Sequence, residues 1–209
     1  MNSDINLALV GASGIVGRKI LQIIEKRNMQ LDNFYPLGFS TVGNEIEFKN
    51  SKYTILDVES IDLSKINVAI FSAGSEVAKK YAETFVEKGI YVIDLSSEYR
   101  YDDDVPLVIP EINIHEIKKL NKPALIANPN CSVSQLLLAI QPIHNELSIN
   151  FINVATYQAV SGTGKEALAE FENQLSGEDD IKIYPKRIAG NVIPQCDIFL
   201  ENDFTKEEM

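Results

Sequence analysis

Short apolar runs alternate with amphipathic stretches over the first 130 residues. Residues 5–10 form an apolar run of strand length that stops at glycine. Residues 18–27 then carry apolar positions at helical spacing. Further strands are expected at 34–39, 45–48, 68–71, 91–94, 107–109 and 124–127, and residues 55–58 lead into a loop. Helices are expected at 76–88, closed by Gly89 as a C-cap, and at 115–120. Strand followed by helix, repeated, is the rhythm of an α/β doubly wound parallel sheet.

After residue 130 the pattern changes. An apolar helix is expected at 133–144, with Pro142 near its end, and residues 151–158 alternate as a strand does. Gly162-Thr163-Gly164 makes a tight loop before a polar helix at 165–175 and an acidic surface loop at 176–182. Residues 188–199 are apolar around Pro194. The charged stretch 201–209 reads as the start of a helix at Thr205, with Glu207 and Glu208 in its first turn. The expectation is one domain over 1–130 and an incomplete second one over 131–209, the chain being cut in mid-domain.

The 209 residues carry a formal charge of −11, which repels nucleic acid and anionic membrane surfaces and argues against both as partners. No apolar run is long enough to span a bilayer and no signal peptide is visible, so a cytoplasmic location is expected. The two cysteines sit in different contexts and are expected to be free thiols. No metal site is expected.

Gly11-Ala12-Ser13-Gly14-Ile15-Val16-Gly17 follows the first strand and opens a helix. Three glycines at this spacing allow a tight turn, close approach of backbone to a pyrophosphate and close helix–strand packing. The amides at the helix start then face phosphate. A purely structural turn is the plainer alternative. An acid after the second strand would select NAD and an arginine NADP. The loop Gly38-Phe39-Ser40-Thr41-Val42-Gly43-Asn44 has neither. The hydroxyls of Ser40 and Thr41 either bond a 2′-phosphate or shape a turn.

Cys131 lies in Asn128-Pro129-Asn130-Cys131-Ser132, just before the apolar helix. A lone cysteine is most often a core thiol. Polar flanks at a strand-to-helix turn point instead to a nucleophile, since the positive end of the helix favours thiolate. Of the two histidines, His144 is thirteen residues further along the same helix, ~20 Å away at 1.5 Å per residue. His115 belongs to a short polar helix. Neither suits a Cys–His hydrolase. Arg100, after the strand ending at Asp94, either stays solvated or clamps phosphate or carboxylate. Gln158 is either a polar strand-end residue or an amide that orients substrate.

Taken together these motifs resemble the aspartate-semialdehyde dehydrogenase family. The resemblance rests on the glycine turn, Phe71-Ser72-Ala73-Gly74-Ser75, and Val105 through Asn113. It continues through the Cys131 segment, Thr156 through Gly164, and Ile193-Pro194-Gln195, in family order over nearly the whole chain. It implies a Rossmann-like nucleotide domain followed by the first part of an α+β catalytic and dimerisation domain. It also implies NADP-dependent conversion of L-aspartyl 4-phosphate to L-aspartate 4-semialdehyde through a Cys131 thioester, serving lysine, threonine, methionine and isoleucine synthesis. Gln158 would position the acyl group, and Arg100, Asn130 and Glu207 would bind substrate. NADP would contact Gly11 through Gly17, Ser40, Thr41, Ser72, Ala73, Gly74, Ser161 and Gly162. The partners implied are an acyl phosphate or aldehyde, phosphate, and a second copy of the full-length chain.

There are departures. Ser40 stands where the family often carries arginine, and Leu95 where it often carries asparagine. The family's acid/base histidine and carboxylate-binding arginine lie beyond residue 209, so these 209 residues alone are expected to be nearly inactive. N-acetyl-glutamyl-phosphate reductase is the alternative within the same architecture. A nucleotide-binding module without catalysis is the alternative outside it.

Overall fold

A computed structural model of the chain describes residues 4–178 and 180–209. It resolves into two compact units, Met1–Thr156 and Tyr157–Met209.

The first unit is built on a parallel sheet. Its strands are β1 (Asn6–Val10), β2 (Asn33–Gly38), β5 (Leu56–Asp57), β6 (Val68–Phe71), β7 (Tyr91–Asp94) and β8 (Leu125–Ala127). The order across the sheet is β5-β2-β1-β6-β7-β8. The chain therefore fills one side of β1, then crosses to the other, and the order reverses between β1 and β6. Alternate residues of β1 enter opposite cores. Ala8 and Val10 pack with Phe71, Ala78, Ala82 and Phe85 on the face covered by helix α2 (Ser75–Glu87). Leu7 and Leu9 pack with Leu21 and Ile24 of α1 (Ile15–Lys26) and with Phe34 and Phe48. Both faces being covered explains why β1 is continuously apolar from Leu7 to Val10 rather than alternating.

Several expectations needed adjustment. Helix α1 starts at Ile15, three residues before the expected start, because Gly14 already serves as its N-cap. A hairpin of β3 (Glu45–Phe48) and β4 (Ser51–Thr54) forms where one strand was expected. Its two connecting residues, Lys49 and Asn50, both have positive φ, which matches the twist of a two-residue turn. Short helices α3 (Pro110–Asn113) and α4 (His115–Lys118) follow, and residues 107–109 contribute only an isolated bridge, Leu107 to Ala127. Helix α5 (Cys131–Leu147) starts at the cysteine itself and continues through Pro142. Strong helix formers before the proline, Leu136, Leu137, Leu138 and Ala139, offset the one bond that proline removes. Helix α5 counts with the first unit, although the sequence boundary was drawn at residue 130.

Residues 151–158 form no strand. A strand is held by its neighbour's ladder, and no described strand forms a ladder with this segment; Phe151 stays 83% exposed.

The second unit is organised by α6 (Lys165–Leu175). Two polar residues on its buried face, Glu170 and Gln174, hold a segment without regular structure. Glu170 accepts the backbone N–H groups of Lys182 (2.7 Å), Ile183 and Tyr184. Gln174 Oε1 accepts those of Ile188 (2.9 Å) and Ala189 (3.0 Å), and its Nε2 donates to the Asp180 carbonyl. The expected helix at Thr205 is a single turn, in which the Glu208 carboxylate accepts from the Thr205 N–H and hydroxyl. That is the reciprocal half of a capping box.

Burial alone would raise the pKa of Glu170, but the three backbone donors outweigh it and the pKa is lowered. A depressed carboxylate stabilises the folded state above its unfolded pKa, and that contribution is lost as pH falls through the folded value. Denaturant titrations should therefore show stability falling on acidification below about pH 4.3. Glu170→Gln should flatten that fall relative to wild type.

Candidate active site

The glycine turn leaves no room for side chains at two positions. Gly11 has φ 84°, and a Cβ there would stand 2.8 Å from the Ser72 carbonyl oxygen. A Cβ on Gly17 would come within 2.3 Å of the Gly11 carbonyl oxygen. Helix α1 is thereby seated directly against the end of β1. Its N-cap, Gly14, supplies no side chain, so the N–H groups that open α1 have no side-chain cap. Such a bare amide end, at the point where strand order reverses, fits a pyrophosphate.

The other expected cofactor residues of the first unit lie in this turn, beside it or in the loop after β2. Ala12 is buried, while Ile15 and Val16 are exposed at the helix start. Ser72 Oγ donates to the Val10 carbonyl (2.9 Å), pinning the end of β6 to the end of β1. Ala73 packs against the core and Gly74 caps α2 with φ 88°. Ser13 and Thr41 place their hydroxyls 3.1 Å apart, so the loop after β2 is tied to the glycine turn; Ser40 is exposed beside it.

Cys131 stands at the same edge of the sheet. Strand β8 lies three spacings from β1, roughly 15 Å. Beyond β8 the chain is held at several points. The Asn128 N–H donates to the Asp94 carbonyl (2.8 Å). The Arg100 guanidinium donates to the carbonyls of Asn128 (3.0 Å) and Leu95 (3.2 Å), bridging the loop after β7 to the loop after β8. Asp94 is fully buried and accepts from the Ser96 N–H (3.1 Å) and hydroxyl (2.6 Å). Burial raises its pKa against those two bonds. Asn130 is the N-cap of α5, its side-chain oxygen accepting from the Ser132 N–H at 2.7 Å. Cys131 is therefore the first residue of the helix, and its thiol is exposed.

In the second unit, Gln158 Nε2 donates to Glu207 Oε1 (3.1 Å), so these two expected site residues meet across 49 positions. Ser161 and Gly162 lie in a short 3-10 turn, Val160–Gly162, just before α6. His144 Nδ1 accepts the Ile149 N–H at the far end of α5, and His115 lies 3.0 Å from Glu116 on the surface. Asp94, Ser96 and Asn128 were not singled out from sequence. The readable signal was an acid closing an apolar strand with serine two residues on, which is the pattern of a side-chain-capped turn.

Residues 6–120 match the semialdehyde dehydrogenase NAD binding domain, and residues 140–209 match the semialdehyde dehydrogenase dimerisation domain. The chain belongs to the aspartate-semialdehyde dehydrogenase family. An aspartate-semialdehyde dehydrogenase from Shewanella violacea is 46% identical over all of this chain, and one from Legionella pneumophila 42%. The crystal structure of aspartate semialdehyde dehydrogenase II from Vibrio cholerae, complexed with ASA, superposes on 99% of the chain. Its TM-score is 0.92 at 38% identity. The chain spans 64% of the Shewanella protein and 63% of the Vibrio chain. The family's parallel nucleotide-binding sheet is the one described above.

Two substitutions test the local geometry. Asn130→Ala should cost about 1 kcal/mol through loss of the cap, and Asn130→Asp should restore it; urea denaturation followed by circular dichroism reads both. Gly17→Ala should destabilise by roughly 1–3 kcal/mol through overpacking, and should lower dinucleotide affinity in the same preparation.

Proposed function

We propose that the protein converts L-aspartyl 4-phosphate to L-aspartate 4-semialdehyde, and the reverse, with NADP. The carrying observation is an exposed cysteine on the first turn of α5, at the same sheet edge as the glycine turn.

The Cys131 sulfur, as thiolate with the positive end of α5 behind it, attacks the acyl carbon. The carbon–oxygen bond to phosphate breaks, inorganic phosphate leaves, and a thioester remains on Cys131. The glycine turn, Gly11 to Gly17, would hold a reduced nicotinamide cofactor, whose chemistry there would be the hydride that takes this acyl carbon to the aldehyde level. Collapse of the hemithioacetal then frees the semialdehyde and returns the thiolate. Gln158 orients the acyl group, Arg100 holds the leaving phosphate, and Asn130 and Glu207 contact substrate. Arg100 already uses its Nε–H and one N–H of Nη2 on backbone carbonyls, so its anion contact falls to the remaining Nη N–H groups.

Support for NADP comes from the loop after β2, where Ser40 and Thr41 offer hydroxyl donors and no acid repels a 2′-phosphate. Ser161 and Gly162 are assigned to the nicotinamide half. Residues 1–130 hold the dinucleotide, and residues 131–209 contribute catalysis and dimer contacts. The dimerisation-domain match supports a homodimer. No described helix is long and apolar enough to cross a membrane, in keeping with a cytoplasmic biosynthetic role.

The intact gene product, given aspartate semialdehyde, phosphate and NADP, should form NADPH, and Cys131→Ser should reduce the rate at least about 10³-fold. Absence of reduced cofactor with the unaltered protein would refute the assignment. Turnover with N-acetyl-glutamate semialdehyde instead would move it to the related reductase.

A further inference from the structure

The loop after β2 lacks a cation, but the cleft beside it does not. A groove of about 490 Å³ is lined by Phe39, Glu59, Glu76, Val77, Lys79, Lys80 and Tyr81, and of its two lysines only Lys80 is held against Glu59 and the Tyr81 ring. Phe39 directly precedes Ser40, and the other wall is the opening of α2. Strands β2 and β6, which deliver these two walls, flank β1. The groove thus lies beside the loop whose Thr41 meets Ser13 of the glycine turn. Phe39 is 38% exposed, with its ring centroid 5.7 Å from that of Tyr81, and offers a flat apolar face to a purine.

Lys80 Nζ lies 4.7 Å from the Tyr81 ring centroid and 2.9 Å from Glu59 Oε1. The same Glu59 oxygen accepts the Tyr81 hydroxyl. This arrangement suits an exchange. Hydroxyls from Ser40 and Thr41 donate to a phosphate but do not neutralise it. Lys80, on a long and 64% exposed side chain, can. When it leaves, Glu59 keeps the Tyr81 hydroxyl and is not stranded.

We propose that Lys80 is the residue that distinguishes the 2′-phosphorylated dinucleotide from the unphosphorylated one, leaving Glu59 to pair with the 2′-phosphate. The proposal rests on the NADP reading above and names the cation that reading lacks.

Nicotinamide fluorescence titrations with NADPH and NADH test it on wild type, Lys80→Ala, Glu59→Gln and Lys65→Ala. Lys65 pairs with Asp62 (3.7 Å) outside the groove and controls for net charge. Wild type should prefer NADPH. Lys80→Ala should weaken NADPH roughly 10- to 100-fold, the loss of one charge-assisted contact, and leave NADH within about twofold. Glu59→Gln, with the competing charge removed, should tighten NADPH alone, and Lys65→Ala should change neither. A wild type that prefers NADPH while Lys80→Ala changes both ligands equally, or neither, overturns the proposal and spares the NADP reading. A Glu59→Gln protein that binds NADPH more weakly overturns the exchange. A wild type that binds NADH as tightly as NADPH overturns the NADP reading itself.

Discussion

Strand β1 is hydrogen-bonded along both edges, to β2 on one side and β6 on the other, and the six strands run parallel. Parallel strands end at one edge, so every loop that leaves a strand end arrives there. The glycine turn, the hydroxyl loop, the loops after β6 and β7 and the Cys131 turn are all products of this one constraint. No distant parts of the chain need to be brought together to place a nucleotide cradle and a thiol on one rim. The sheet does so by direction alone.

What the sheet cannot supply is precision, and this comes from a few polar contacts. Ser72 ties β6 to β1, Ser13 meets Thr41, and Arg100 joins the loops after β7 and β8. Each of these residues makes an internal contact and also lies where a ligand group is expected. Arg100 shows the point well. A guanidinium has five N–H donors in a rigid fork, so it can brace two carbonyls and still present donors outward. A lysine of the same charge has three donors on one atom and lacks the fork that spreads them to two sides. The second unit uses a similar economy, with two residues one helical turn apart, Glu170 and Gln174, accepting five backbone N–H groups from an irregular segment.

The parts of this architecture that were legible in the sequence are those written locally. Apolar runs of strand length, glycine spacing and the polar turn before an apolar helix specify their elements without outside help, and β1, β6, β7, β8, α2 and α6 formed where expected. Elements that depend on a partner were less legible. The alternation of residues 151–158 says which faces a strand would have, but it cannot say what pairs with it. The helical signal at Thr205 is real at the level of the cap and yields one turn. The β3–β4 hairpin was missed because Lys49-Asn50 is an unusual two-residue connection, lacking the glycine that normally marks one. The position of Cys131 at the mouth of a helix was readable from its flanks. The capping role of Asn130 and the bracing role of Arg100 required the hydrogen-bond partners to be seen.

Helix α5 has one further property. Its first turn is clamped by the Asn130 cap and the bonded Asn128 segment, whereas Pro142 leaves the Leu138 carbonyl without its usual amide partner. The weak joint therefore lies eleven residues downstream of the thiol. Bending at such a joint swings the far half of a helix while the near half stays with its cap. The thiol is mechanically insulated: the distal part of α5 can follow whatever it packs against without displacing Cys131.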